Sequence, residues 1–299
     1  MTTMSRLGGS LARGWTEGSR VERTGYVVGG VLFLSGLTHL VVLAVSGGPW
    51  TGPVSLRKPA TFGLSFGLTL ASVVWVTHVV PMTARARNVL LGVFTVTCVV
   101  ETALVSAQAW RGVPSHFDFE TPFDTAVSMA LAAGGFAIVV TTAGMTLSVF
   151  RAARLESAAM RLALRFGFVT LLVALAVGAA MIAAGSVAAR GPDPSVAYET
   201  AGFLKPAHAV TMHAILVIPA LAWLLKFTHW GDNRQLNVVK LGILGYSLLS
   251  IVIIAESATH TSPFAAPPLA MAISGLGILV LATAGALGVV GVLTRPRTN

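Results

Sequence analysis

Glu101 is the residue from which chemistry is most directly argued. It stands inside a long apolar run, where an isolated carboxylate would sooner take up a proton than stay ionised, because burial disfavours the charged form. A carboxylic acid held neutral in such a place is a ready proton donor. The competing reading is an ion pair with Lys58, Lys205 or Arg111 that fixes helix packing. Gln108 follows seven residues later, two helical turns on and on the same face, and Thr97 precedes Glu101 by four on that stripe. The stretch from Glu101 to Asp124, ETALVSAQAWRGVPSHFDFETPFD, leaves one apolar run and enters the next. It carries four of the chain's eleven acids, one histidine, one arginine and three phenylalanines. As one wall of a polar pocket it offers Gln108, Arg111, His116, Phe117, Asp118, Phe119 and Glu120 for substrate binding. Asp124 adds a counterpart acid at a helix start, where exposed amides favour negative charge.

A second group of candidates lies far along the chain. Glu256 and His260 are four apart, with Thr259 between them, so a continuous helix would put all three on one face. A carboxylate there would orient the imidazole and raise its basicity, the alternative being plain interfacial capping. His208 and His213 are five apart, about 140° around a helix, so they cannot jointly chelate one metal from that helix. Both are assigned to substrate binding, as are Lys58 and Lys205, and each histidine reads equally as a packing residue. The alternation in His116-Phe117-Asp118-Phe119-Glu120 would align its polar members only in an extended loop. A solvated loop is the preferred reading, and no metal site is assigned. His39 is expected to bond a neighbouring carboxylate rather than a haem. His78, His229, Glu156 and Asp232 read as ordinary loop chemistry. Cys98 is the single cysteine, which excludes an intrachain disulfide and a thiolate metal site.

These groups need a scaffold, and composition names it. The chain has 299 residues, 55% hydrophobic and 10% charged, against roughly 25% charged in soluble domains. Apolar spans of membrane length fall at about 26–46, 60–80, 88–109, 123–148, 161–188, 208–226, 239–259 and 267–293, giving an all-α polytopic bundle of eight transmembrane helices. Fifteen of the twenty Lys and Arg residues cluster at one set of span ends, from Arg6, Arg13, Arg20 and Arg23 to Arg295 and Arg297. Since basic residues accumulate on the cytoplasmic side, both termini are placed there. The net charge of +9 is then a topology and lipid-headgroup signal, not a sign of nucleic acid. Seven of the eleven acids and five of the seven histidines fall at the outer side, which points to an outward-facing site.

The expected organisation is a leader over 1–25 with a short amphipathic helix near Trp15, a four-helix half over 26–148, a basic linker over 149–160, a second four-helix half over 161–293, and a tail over 294–299. Leu56-Arg57-Lys58-Pro59-Ala60 opens the second span much as Phe203-Leu204-Lys205-Pro206-Ala207 opens the sixth, and Glu256 parallels Glu101. The pairing suggests tandem halves, with chance likeness between apolar helices as the alternative. Gly63 and Gly67 make a GxxxG pair suited to close helix contact.

There is no GxxxxGK[ST], HExxH, GxSxG or paired DDxxD-like run, which argues against nucleotide phosphoryl transfer and metal–diphosphate chemistry. In size, apolar composition and sparse intramembrane acids the chain resembles the integral-membrane terpene cyclases of meroterpenoid and indole-terpenoid pathways. That resemblance implies a prenylated substrate and no cofactor, and it assigns no residue. Acid plus aromatic rings suits proton-initiated cyclisation of an isoprenoid, the rings stabilising the cation and a dry cavity protecting it. Eight helices with outward histidines also resemble haem A synthase and other membrane cytochromes, although the EHRxxG-type run of that synthase is missing. An ion- or proton-coupled transporter is the third reading. The expected partners are a lipophilic small molecule and membrane lipids, in a multi-pass protein of the cell membrane.

Overall fold

The computed structural model describes residues 3–152, 157–193, 196–197, 202–262 and 265–294. Its helices are α1 (Thr3–Thr16), α2 (Arg20–Ser46), α3 (Arg57–His78), α4 (Ala84–Arg111), α5 (Pro122–Arg151), α6 (Ala158–Ala188), α7 (Lys205–Leu225, entered through a 3-10 turn at Gly202–Leu204), α8 (Asp232–Ala258) and α9 (Pro268–Leu293). Helices α2 to α9 are all long and apolar enough to cross a membrane, and no strand occurs among the described residues. The expected all-α polytopic bundle is therefore the observed one.

Local chemistry sets the helix ends. Ser19 caps α2 in a capping box: its hydroxyl and amide both donate to Glu22 Oε2 at 2.7 Å. The first membrane helix accordingly begins at Arg20, six residues before its apolar run. Thr83 caps α4, and Gly112 ends it with φ +71, a left-handed conformation that costs glycine little. Thr121 caps α5 with Pro122 at its first position, where no amide donor is needed. The amphipathic leader helix is present as α1. It is held where α2 and α7 meet the basic end: Trp223 Nε1 donates to Ser10 Oγ at 3.0 Å, and Arg23 donates to Trp15 O and Thr16 O.

Glycine decides how closely the helices approach. A Cβ on Gly63 would lie 2.6 Å from Gly36 N and 2.7 Å from Leu32 O, so α2 and α3 meet backbone to backbone, as the GxxxG pair anticipates. The α8–α9 seam is built the same way, where a Cβ on Gly277 would lie 2.9 Å from Gly245 O. Contacts run α2–α3, α3–α4, α4–α5 and α2–α4, then recur as α6–α7, α7–α8, α8–α9 and α6–α8, with α7–α9 added. The two sets join through α5–α6 and α3–α7, so the helices opened by Lys58-Pro59 and Lys205-Pro206 face each other. A core including Leu70, Phe94, Met145, Phe168 and Ile215 fills the centre, while Val31, Leu34, Val41, Phe136, Leu276 and Leu279 face outward. Apolar side chains on the outside are what a hydrocarbon solvent requires.

Candidate functional site

Glu101 is 4% exposed, and its Oε1 is buried without a hydrogen-bond partner. The carboxyl rests on the backbone of α5 at Gly134, where a Cβ would stand 3.2 Å from its Cδ and closer still to Oε1. It takes part in no ion pair among the described residues, so the helix-fixing pair with Lys58, Lys205 or Arg111 is not formed. Lipid-facing residues border the spot: Val100 and Ala103 on α4, and Ala132, Ala133 and Phe136 on α5. Four buried hydroxyls on α3, α4 and α5 also lack partners: Thr69 on α3, Thr95 and Thr102 on α4, and Thr142 on α5. Unsatisfied buried polar atoms are uncommon in folded proteins and call for a reason.

Toward the end opposite the basic one, the polar residues of the Glu101–Asp124 stretch satisfy one another. Asp124 Oδ1 accepts from Gln108 Nε2 at 2.8 Å and Arg111 Nη1 at 2.6 Å, and Oδ2 accepts from the Thr121 hydroxyl at 2.5 Å. Arg111 also donates to Gln108 Oε1, and its guanidinium lies 4.6 Å over the Phe123 ring. This network staples the α4–α5 loop shut. It leaves Asp124 engaged with donors rather than facing Glu101.

The loop that follows Gly112 is not extended. Phe117 has φ +65, which breaks the alternation, so His116, Asp118 and Glu120 do not line one side. Phe117 lies against Gly185 of α6, and Phe119 sits under Arg190 at 5.3 Å. Asp118 is buried and accepts from the Glu120 amide, whereas Glu120 is exposed. His116 Nδ1 and Ser115 Oγ are 2.9 Å apart, and the imidazole stands between Phe62 and Phe117. Burial, and then the nearby Lys58 charge, push His116 down to about 3, so it is neutral. No group of three or more His, Cys, Asp or Glu side chains suited to a metal occurs among the described residues.

Lys58 and Lys205, expected near Glu101, instead meet across the α3–α7 contact, close enough with Arg57 for their charges to act on one another. Beside Lys58, the residues Ser55, Val105, Ala109 and Ser115 close on one another with no room for a water molecule, one helical turn along α4 from Glu101. Glu256 is buried, but α8 ends at Ala258. His260 turns away with φ +57 and stacks on Phe203 at 3.9 Å, so Glu256, Thr259 and His260 do not share a helical face. His208 Nδ1 lies 2.7 Å from Ala174 O, and His213 is half-buried on the following turn. His39 does not bond a carboxylate. Trp110 Nε1 can only donate, so His39 Nε2 accepts from it at 3.0 Å and Nδ1 donates to Ser35 O at 2.8 Å. With both ring nitrogens engaged, His39 is unsuited to a haem.

One constellation escaped the sequence reading. Glu22, 3% exposed, receives Arg87 Nη1 at 2.9 Å and His78 Nδ1 at 3.0 Å on Oε1, tying α2, α3 and α4 together at the basic end. His78 is thus part of a buried ion network rather than loop chemistry. The Ser19-x-x-Glu22 capping pattern was the available signal, although it does not announce the two cations. Glu199, one of the seven acids placed on the outer side, and Glu156 lie outside the described residues. Compared with known proteins, the chain matches no family model, no curated protein and no solved structure.

Proposed function

We propose that this membrane-spanning protein is an enzyme in which the Glu101 carboxyl exchanges a proton with a lipophilic substrate that arrives from the bilayer along the α4–α5 seam. The observation that carries this reading is the unpartnered Oε1 of Glu101, buried where the carboxyl packs on Gly134 of α5. A buried carboxyl with no cation in contact is costly to keep in hydrocarbon, and such residues mark function. Lateral approach is supported by Ala103, Ala132, Ala133 and Gly134, which leave little side-chain bulk between lipid and acid, with Val100 and Phe136 at the margins. Proton-initiated cyclisation of an isoprenoid is the most specific chemistry of this kind. It would have to proceed without Phe117, Phe119 and Phe123, whose rings are committed to Gly185, Arg190 and Arg111.

The second reading, a proton-coupled carrier, is favoured by the unpartnered hydroxyls of Thr95, Thr102 and Thr142 on the helices that flank Glu101. One experiment separates the two. Wild type and Glu101→Gln in liposomes are offered a panel of prenylated substrates, and proton uptake is followed in parallel. Turnover lost in the variant without any proton flux in wild type supports the enzyme; Glu101-dependent flux without turnover supports the carrier. Full retention of both in Glu101→Gln overturns each.

A further inference from the structure

At the basic end a cleft of about 490 Å³ opens between the α3–α4 turn and the last turn of α5. One wall is Pro81, Met82, Thr83 and Ala86, and the other is Ser148, Arg151 and Ala152. The volume lies in the range of small-molecule sites, roughly 300–1,000 Å³. The cleft sits where two membrane-spanning helices end, at headgroup depth.

Its chemistry is one-sided. Arg151 is exposed and is the single ionisable side chain among the lining residues. Thr83 Oγ1 accepts from the Ala86 amide at 3.2 Å, which leaves its hydroxyl hydrogen to donate. The Ser148 hydroxyl is directed to Gly144 O at 2.9 Å and so presents no competing donor. Met82, Pro81 and Ala152 supply apolar surface beside these donors. The wall is also rigid. Arg87 Nη1 and Nη2 hold Thr77 O and Val80 O at 2.9 Å each, fixing the turn that carries Pro81 and Met82. Glu22 neutralises Arg87 and is turned into the bundle, so the nearest carboxylate of this network is engaged away from the cleft.

We propose that this cleft is a binding site for an anionic phospholipid, its phosphate on Arg151 and the Thr83 hydroxyl and the start of an acyl chain against Met82 and Pro81. A cation at headgroup depth and an apolar ledge below it fit an amphiphile better than a soluble anion, and the opposite charge selects phosphatidylglycerol over a zwitterionic lipid.

The test uses the full-length protein purified in a neutral detergent and offered phosphatidylglycerol or phosphatidylcholine, with retained lipid counted by native mass spectrometry. Wild type should retain phosphatidylglycerol preferentially. Arg151→Gln should lower that retention about five-fold, the worth of one cation near a membrane surface. Arg151→Lys should keep most of it, and Lys240→Gln, a cation removed elsewhere on the same end, should change nothing. Inorganic phosphate at millimolar concentration should not displace the lipid. Equal retention of the two lipids, an unaffected Arg151→Gln, an equal loss in Lys240→Gln, or displacement by phosphate alone would each overturn the proposal.

Discussion

Gly134→Ala is the sharpest probe of the Glu101 seam, because it adds one methyl group directly against the carboxyl. The new Cβ would stand 3.2 Å from Glu101 Cδ and 3.4 Å from Cγ, with Oε1 inside ordinary contact. Overpacking a tight site costs about 1–3 kcal/mol. Here the clashing group is the end of a side chain whose last torsion is soft, so the lower figure applies. Replacing a mid-helix glycine by alanine recovers up to about 1 kcal/mol of helix propensity. Net stability should therefore change by no more than about 1 kcal/mol, while the carboxyl is displaced on the order of 1 Å, a misplacement that costs about 10²-fold in rate. The assay needs no substrate. A lipophilic carbodiimide reacts with carboxylic acids it reaches through the bilayer, and a water-soluble one reaches only aqueous carboxyls. Wild-type Glu101 should be labelled by the first and spared by the second, and Gly134→Ala should be labelled more slowly at an unchanged melting temperature. Labelling at the wild-type rate, or labelling by the aqueous reagent, would refute the seam.

Three further outcomes follow from the same physics. Gly63→Ala, whose Cβ meets only the α2 backbone, should cost about 1–3 kcal/mol, whereas Gly275→Ala, with nothing within 4 Å, should be neutral or stabilising by up to about 1 kcal/mol; thermal melts in detergent decide both. Glu22→Ala strips the acceptor from Arg87 and His78 and should cost about 3 kcal/mol, the lower end for a broken buried pair because Arg87 keeps Thr77 O and Val80 O. His116 gives a pH dependence. Its folded pKa, about 3, lies below the unfolded value of about 6.5, so its contribution is fully present above pH 6.5 and is lost as pH falls toward 3, by at most about 1.4 kcal/mol per pH unit. His116→Gln should flatten the melting temperature over that window, and an unchanged slope would show that the imidazole is not buried neutral.

The fold was legible because membrane spans announce themselves through length and hydropathy, and the helix start marked by Asp124 and the Gly63/Gly67 pair carry direct geometric consequences. The partners were not legible. Lys58, Arg111 and Lys205 each lie within reach of Glu101 in sequence terms, yet Arg111 is drawn to Asp124 by a two-point contact with Gln108 and Asp124, and the lysines meet because α3 and α7 occupy corresponding places in the bundle. His260 failed for a local reason, since α8 ends two residues before it and the chain turns left-handed there. Periodicity assigns a face only while the helix lasts.

The distribution of satisfied and unsatisfied polar groups is what singles out one place among several polar clusters. Asp124 and Glu22 are saturated with donors, and each ties helices or loops together. Replacing such a staple weakens the fold and says little about chemistry. Glu101 is buried as deeply, but one oxygen lacks a donor and the contact beneath it is a glycine. The recurrence of the α2–α5 contacts in α6–α9 is what tandem halves would produce, and on that footing the comparison with Glu256 is informative. Glu256 stands at a helix end, where Thr261 N closes back on its carbonyl at 2.8 Å, whereas Glu101 lies inside α4 with Gly134 of α5 against its carboxyl. Among the described residues, Glu101 carries the one carboxylate oxygen that is fully buried without a donor, which is why Glu101→Gln should abolish function while Glu256→Gln leaves most of it. Equal loss in the two variants, measured as turnover or proton flux, would mean that the halves share the work.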